Sequence, residues 1–400
     1  MAPRHTSPRA RLESKEGPSR ERLEVSERDC TDIYGRFGDV LRLCERYVVL
    51  LTDIDGFRMC RATTARRRGP RKQHGSDSGS TIRRLVRARC APLMEGAISS
   101  RPKPSTRIAV VTGGNKGIGF EVCRQLGSDE VKVVLTARDE LRGAEAVEKL
   151  RALGVTNVLF HQLDITDTSS IATLVDFLKT HFGKLDILVN NAAIGGVEYV
   201  QELDTSEEQF AGLDFYQRLE WMVKSVLEPV DSAKKGVETN YYGTKHVIEA
   251  LLPLLQSSSE GRIVNVSSIF GLLRLISNEE VRQELNDIDS LTEERLDELL
   301  NKFFKDFEAD ALEARGWPTG FAAYKVAKAA MNAYSRMLAR RHPALRVNCA
   351  HPGYVKTDIT MNSGVLTPEE GARNVVKVAL LPDGGPTGKY FAEGEKASFV

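Results

Sequence analysis

The stretch Ile108-Ala-Val-Val-Thr-Gly-Gly-Asn-Lys-Gly-Ile-Gly119 joins an apolar run to a glycine-rich turn. The run Ile108–Thr112 is short and rich in β-branched residues, which is typical of a buried strand. Apolar residues at helical spacing follow the last glycine. Glycines permit positive φ and close approach of the backbone to a ligand, and a helix N-terminus offers free N–H groups to an anion. The stretch therefore predicts a strand, a phosphate-binding turn and a helix.

Further apolar runs recur along the chain with helix-like stretches between them. The predicted strands are Val131–Ala137, Val158–Leu163, Leu185–Asn190, Arg262–Ser267, Leu345–Cys349 and Lys389–Ala392. Alternating strands and helices predict an α/β fold with a doubly wound parallel sheet. Because ligands in such sheets bind beyond the carboxyl ends of the strands, the functional site should lie at that edge. The residues predicted there are Gly113, Arg138, Asp164, Asn191, Ser268 and Pro352.

A tyrosine and a lysine four residues apart form the second informative pattern. Tyr324 and Lys328 lie in an Ala-rich helical run, so they should share one face of a helix. A nearby cation favours the phenolate, which predicts that Lys328 lowers the pKa of Tyr324 toward the working pH. By itself this spacing also fits a core tyrosine followed by a surface lysine.

Together these patterns resemble the short-chain dehydrogenase/reductase family. The matching segments are Thr112–Gly119, Leu163-Asp164-Ile165, Asp186–Ala193, Thr239-Asn240, Arg262–Ser268, Tyr324–Lys328 and His351–Asp358. The resemblance covers about residues 105 to 400 and implies a Rossmann fold. A long insert at about residues 270–318 resembles the monomeric carbonyl-reductase branch, which includes the plant salutaridine reductase and neomenthol (menthone) dehydrogenase-like group.

The resemblance implies reduction of a ketone or aldehyde to an alcohol by hydride transfer from NADPH. Tyr324 would donate the proton, and Ser268 would orient the carbonyl oxygen, with Ser267 as its hydrogen-bonded neighbour. Lys328 would bind the nicotinamide ribose, and Asn240 would hold a water that links Lys328 to solvent. A catalytically idle NADP-binding or scaffold protein of the same fold is the alternative.

The cofactor site implied by the resemblance combines the glycine loop with the ends of several strands. Its residues are Gly113, Asn115, Lys116, Gly117, Ile118, Gly119, Arg138, Asp164, Ile165, Asn191, Tyr324, Lys328, Pro352, Gly353, Val355 and Thr357. The second strand ends in Ala137-Arg138 where NAD-binding proteins carry an acid, so Arg138 and Lys116 predict a site for the 2′-phosphate of NADP(H).

The insert carries a predicted helix of its own. Ser290 and Glu293 have capping-box spacing, and an apolar stripe runs through Leu296, Leu299, Leu300, Phe303, Phe304 and Phe307. Packing of this stripe within the chain would block the usual dimer surface of the family and predicts a monomer. The insert and the segment 195–236 would together form a lid over an apolar pocket for a bulky terpenoid- or alkaloid-like ketone.

Composition narrows the classes of partner. Residues 1–105 carry 23 Lys and Arg against 13 Asp and Glu, whereas the remainder carries 33 against 42. The acidic body argues against nucleic acid as a partner. No apolar run approaches membrane-spanning length. The six cysteines lack metal-ligand spacing, and Cys123 and Cys349 are predicted to be buried free thiols of a cytoplasmic protein without a metal site.

Residues 1–104 do not match the family. The interpretation favoured by their charge and weak periodicity is a disordered N-terminal extension. Arg-rich stretches leave open a plastid or mitochondrial targeting segment, although the acidic residues argue against one. A nucleic-acid-binding tail is a further alternative. We therefore predict one reductase domain over 105–400.

Overall fold

The computed structural model describes residues 106–200 and 203–400. The predicted extension over residues 1–104 lies outside the described residues, so its disorder and any targeting role stay predictions. The described residues fall within the predicted reductase domain, whose bounds stay a prediction.

A single large sheet organises the described part of the chain. In chain order its strands are β1 (Ile108–Val111), β2 (Lys132–Ala137), β3 (Val158–Gln162), β4 (Ile187–Asn190), β7 (Arg262–Val266), β8 (Arg346–His351), β9 (Lys389–Ala392) and β10 (Glu395–Ala397). Their order across the sheet is β10-β9-β8-β7-β4-β1-β2-β3, and every pair is parallel except the β9–β10 hairpin. Strands β5 (Glu198–Tyr199) and β6 (Val226–Leu227) form a separate antiparallel pair.

The helices cover both faces of this sheet. They are α1 (Gly117–Ser128), α2 (Glu140–Ala152), α3 (Thr168–His181), α4 (Phe215–Lys224), α5 (Val230–Val237), α6 (Thr244–Gln256), α7 (Glu279–Asn286), α8 (Glu293–Glu308), α9 (Ala322–Arg341) and α10 (Pro368–Ala379). Helices α3, α6 and α9 pack in one apolar core, and α1, α2 and α10 pack in the other. Side chains of β1 enter the two cores alternately, as a strand between two layers requires.

The predicted doubly wound α/β fold is confirmed. The predicted strands are all present, with ends that differ from the prediction by at most two residues. Strand β7 ends at Val266, so Ser267 and Ser268 both lie beyond it at the carboxyl edge. Cys123 and Cys349 are buried free thiols, as predicted.

The inserted helices pack on the core of the same chain. Leu296, Leu299, Leu300 and Phe303 of α8 are buried with α9, while Phe304 and Phe307 are partly buried. The prediction that Ser290 caps the N-terminus of α8 was wrong. Thr292, not Ser290, caps the helix, because its side chain accepts a hydrogen bond from the N–H of Arg295 at 3.2 Å.

The two segments predicted to form a lid lie differently with respect to Tyr324, and the lid itself stays a prediction. Residues of α4 pack in a small apolar cluster with Tyr324, so the segment 195–236 does border the site. From the insert, Phe270 joins this cluster, whereas α7 and α8 belong to the larger core. The buried apolar side chains of α7 and α8 pack in the same core as α9, so these helices do not join the cluster around Tyr324.

Candidate active site

The glycine loop between β1 and α1 adopts the geometry of an anion-binding turn. Gly113 and Gly117 have φ of +63° and +56°, which an L side chain rarely adopts. A Cβ on Gly119 would lie 2.4 Å from the carbonyl oxygen of Gly113, so the turn is too tight for a larger residue. Lys116 is the N-cap of α1 but provides no side-chain cap. The first N–H groups of α1 are therefore available to a phosphate group, and Asn115 and Ile118 border them.

Asn191 braces this loop from the end of β4. Its side-chain amide donates to the carbonyl oxygens of Thr112 and Gly113 at 3.0 and 3.1 Å. The hydroxyl of Thr112 accepts from the N–H groups of Asn191 and Ala192, each at 3.0 Å. Asn191 thus acts on the shape of the loop through the protein backbone. Sequence reasoning did not identify Thr112 as part of this network.

The end of β2 presents a cation without a competing acid. Arg138 is exposed, and none of the described residues forms an ion pair or hydrogen bond with its guanidinium. The neighbouring Asp139 caps α2, because its carboxylate accepts from the N–H of Arg142 at 2.9 Å. The other oxygen of the Asp139 carboxylate lies 4.0 Å from the Arg142 guanidinium. The arrangement therefore fits a 2′-phosphate beside Arg138.

Lys116 has a partner across the cleft. Its ammonium group forms an ion pair with the carboxylate of Asp358, and both side chains are largely exposed. Exposed pairs contribute little to stability, so Lys116 can exchange this partner for another anion. The pair links the glycine loop to the segment that follows β8. In the same place Thr357 lies against Gly117, since a Cβ on that glycine would be 3.7 Å from the threonine methyl.

The remaining predicted cofactor residues also lie at the carboxyl edge. Asp164 follows β3, and its carboxylate accepts from the N–H and hydroxyl of Thr166 at 2.9 and 2.8 Å. Ile165 is buried beside it. After β8, Gly353 has φ of +96° and Val355 is buried, while the carbonyl oxygen of Pro352 accepts from Asn374 at 3.0 Å.

Tyr324 and Ser268 meet at the start of α9. The hydroxyl of Ser268 lowers the pKa of the Tyr324 phenol, while burial acts more strongly in the opposite direction and raises it to about 12. The Ser268 hydroxyl also accepts from the N–H of Phe270 at 3.1 Å. Ser267 donates to the side-chain oxygen of Asn332 at 2.8 Å, so its hydrogen bond goes to α9 rather than to Ser268.

Lys328 lies on the same helical face as Tyr324, as the spacing predicts. Its Nζ is 5.6 Å from the centre of the Tyr324 ring and donates to the carbonyl oxygen of Val266 at 2.8 Å. Burial lowers the pKa of Lys328 to about 8. The prediction that Lys328 lowers the pKa of Tyr324 was wrong for this structure. Both groups are desolvated, and desolvation favours the neutral form of each.

Asn240 occupies a π-helical segment, Glu238–Gly243, between α5 and α6. Its side-chain oxygen accepts from the N–H of Ile194 at 2.9 Å, and its side-chain nitrogen donates to the carbonyl oxygen of Ile194 at 2.8 Å. The amide thus holds the chain just after β4. Single π-turns frequently mark functional sites. Each polar atom of this amide makes one hydrogen bond to Ile194.

An apolar wall surrounds the phenol. Leu219, Met222, Phe321 and Met361 are buried in one cluster with Tyr324, and Phe270, Phe215 and Tyr354 border it. The rings of Phe270 and Phe321 lie 6.3 and 6.4 Å from the Tyr324 ring, both edge-on. The sequence indicated α4 as a source of pocket residues but not Met361 or Tyr354, which follow β8. Their position there became visible only from the fold.

Comparison with known proteins agrees with this arrangement. The family model of the short chain dehydrogenases matches residues 107–279. A (+)-neomenthol dehydrogenase of Capsicum annuum is 48% identical over 308 residues, which cover 74% of this chain and 98% of that protein. An NADPH carbonyl reductase of Mus musculus is 39% identical over 288 residues, covering 69% and 92% of the two chains. The solved structure of salutaridine reductase from Papaver somniferum has a TM-score of 0.68 at 48% identity and covers 72% of this chain and 99% of that one.

The chain therefore belongs to the short-chain dehydrogenase family and is an oxidoreductase that uses a nicotinamide cofactor. Within the family it is similar to the plant neomenthol dehydrogenases and salutaridine reductases. Among the described residues, no helix combines the length and apolar character needed to cross a bilayer. Nor does that part of the chain contain a group of three potential metal ligands.

Proposed function

We propose that the protein reduces a ketone or aldehyde to the alcohol with NADPH as hydride donor. The observation that carries this proposal is the juxtaposition of Tyr324 with Ser268, whose hydroxyl acts on the pKa of the phenol, with Lys328 beside the phenol and the glycine loop at the same edge of the sheet. A proton donor, a carbonyl-orienting hydroxyl and a phosphate-binding turn are what such a reduction requires.

The side chains have separate tasks in this reaction. The neutral phenol of Tyr324 gives its proton to the oxygen of the carbonyl as negative charge develops there. The hydroxyl of Ser268 donates a hydrogen bond to the same oxygen and fixes its direction. Lys328 is held by Val266 and binds the ribose next to the nicotinamide. Asn240 holds the chain after β4 and, through its main chain, the water that links Lys328 to solvent.

The preference for NADP(H) rests on the end of β2 and on the first turn of α1. Arg138 would bind the 2′-phosphate, with Lys116 as the second cation after it leaves Asp358. The N–H groups at the start of α1 would hold the pyrophosphate. When bound, the cofactor supplies the hydride. The similarity to a carbonyl reductase named for NADPH supports the same preference.

An apolar pocket wall argues for a bulky apolar substrate. The cluster around Tyr324 consists of aliphatic, aromatic and methionine side chains, which suit contact with an apolar carbonyl compound. Relatives of this chain are named for neomenthol and salutaridine. We infer a terpenoid- or alkaloid-like ketone as the substrate class.

Oxidation of NADPH in the presence of ketones tests the proposal. Purified protein is assayed at 340 nm with menthone-like, alkaloid and quinone carbonyls, and the alcohol product is identified by mass spectrometry. We expect turnover with at least one bulky ketone and weaker turnover with NADH. Binding of NADPH without turnover of any carbonyl would favour the alternative, an idle nucleotide-binding protein. We further propose that the protein works as a monomer in the cytoplasm.

A further inference from the structure

The helix that carries Tyr324 begins without a cap of its own. Its N-cap residue, Phe321, has φ of +56° and ψ of 35°, and no side-chain hydrogen bond caps the helix from this position. A left-handed conformation is unfavourable for a bulky residue such as phenylalanine. The first N–H groups of α9 therefore need an acceptor from elsewhere in the chain.

Glu228 supplies that acceptor from far away in the sequence. Its two carboxylate oxygens accept from the N–H groups of Ala322 at 2.8 Å and Ala323 at 2.7 Å. The residues are 94 and 95 positions apart. A carboxylate that accepts two N–H groups at a helix N-terminus also interacts favourably with the helix dipole. Loss of such a cap destabilises the first turn of a helix.

The surroundings of Glu228 act on the pKa of its carboxyl group in opposite directions. Burial raises the pKa of Glu228, while the hydrogen bonds from Ala323 and Ala322 and the charge of Lys325 lower it. Lys325 is itself fixed by a hydrogen bond to the carbonyl oxygen of Thr319 at 2.7 Å. Its Nζ lies 5.0 Å from the centre of the Phe270 ring, which borders the pocket.

We propose that Glu228 is a positioning residue for the reaction, which fixes the first turn of α9 so that the phenol of Tyr324 stays aligned with Ser268. Tyr324 is only one residue beyond the second N–H group that Glu228 binds. Glu228 directly follows β6 and precedes α5, so the same contact ties the pocket-forming segment to the helix of the proton donor. The inference rests on the proposed function.

Replacement of Glu228 leaves two N–H groups without their shared acceptor and weakens the restraint on Phe321. The ring of Phe321 packs edge-on against Tyr324, so a change of its backbone moves the pocket wall and the phenol together. Among the described residues, no hydrogen bond joins Glu228 to α1, whose first N–H groups would bind the pyrophosphate. The structure therefore assigns Glu228 an effect on turnover that is separate from cofactor binding.

The test uses Glu228→Gln, which keeps the shape but converts one acceptor into a donor, and Glu228→Asp, which keeps the charge but shortens the side chain. Thr292→Ala is the matched control, because Thr292 caps α8 in the insert. For each full-length variant, NADPH affinity, kcat and KM for a bulky ketone, and amide hydrogen exchange by mass spectrometry are measured.

We expect kcat to fall at least tenfold in Glu228→Gln, with NADPH affinity within twofold of the unmodified protein and faster exchange in residues 320–328. Glu228→Asp should lie between the two, and Thr292→Ala should exchange faster only near the start of α8 with normal kcat. Normal kcat in both Glu228 variants, or an equal loss in Thr292→Ala, would overturn the inference. If the unmodified protein reduces no ketone, the proposed function fails, and unchanged exchange in residues 320–328 would independently refute the cap.

Discussion

The ammonium group of Lys328 lies over the ring of Tyr324, 5.6 Å from its centre, while its hydrogen bond goes to the carbonyl oxygen of Val266. Strand β7 therefore positions the lysine, and the lysine contacts the phenol through the ring face, where a cation is attracted to the aromatic quadrupole. Burial keeps the phenol neutral, since the pKa of Tyr324 is raised to about 12. A neutral phenol is the form that donates a proton during reduction of a carbonyl.

Cofactor preference depends on Arg138. Replacement by aspartate should weaken NADPH binding at least tenfold, because a favourable charge pair with the 2′-phosphate becomes a repulsion. Binding of NADH should change much less. Dissociation constants for both cofactors, measured by fluorescence titration, check this. Arg151→Asp, at the other end of α2, makes the same change of charge and should leave the cofactor ratio unaltered. An unaltered ratio in Arg138→Asp would show that another residue selects the cofactor.

Acid stability should depend on His351. Burial lowers the pKa of His351 to about 4, and its Nδ1 has no hydrogen-bond partner among the described residues. In the unfolded chain the imidazole of His351 has a pKa of about 6.5. Its contribution to the free energy of unfolding is therefore complete above that pH. It is lost as the pH falls toward 4, by about 3 kcal/mol in total.

Urea unfolding at several pH values between 7 and 4.5 measures this effect. The unmodified protein should lose stability faster with acid than His351→Asn, which has no imidazole to protonate. The half-buried His342, which follows the last residue of α9, provides the control substitution His342→Asn. Equal slopes for the unmodified protein and His351→Asn would contradict the assignment.

The spacing of apolar residues was enough to predict the fold, but not the electrostatics of the site. Near-continuous β-branched runs marked the buried parallel strands, and the glycine pattern marked the turn before α1. The pKa of Tyr324 was predicted with the wrong sign, because sequence spacing shows the neighbouring Lys328 but not the burial of both groups. Glu228 was missed because its hydrogen bonds to Ala322 and Ala323 cross more than ninety residues, and no local motif records a cap of that kind.

The inserted helix should keep the protein monomeric. Phe303 of α8 is fully buried within the chain, so the apolar stripe does not need a second subunit to cover it. Light scattering at micromolar concentration should give the mass of one 44.3 kDa chain. Phe303→Ala should lower the free energy of unfolding by about 3–5 kcal/mol. A dimer that persists at submicromolar concentration would contradict the monomer proposal.

Residues 1–104 should be dispensable for activity. Their charge balance differs from that of the remainder, and the family resemblance begins after them. A protein that starts near Ser105 should bind NADPH and reduce ketones with kcat within twofold of the full chain. The comparison requires both proteins at equal concentration in the same assay. Loss of activity or aggregation on truncation would show that the N-terminal residues support the reductase domain.

The central claim is that Tyr324 donates the proton during carbonyl reduction. Tyr324→Phe removes one hydroxyl and keeps the ring that packs against Phe270 and Phe321. The decisive measurement is single-turnover oxidation of bound NADPH by a ketone that the unmodified protein reduces, with NADPH affinity determined on the same sample. We predict that the rate falls by a factor of at least ~100, as expected for loss of a general acid, while NADPH still binds. A near-normal rate with NADPH bound would contradict the account.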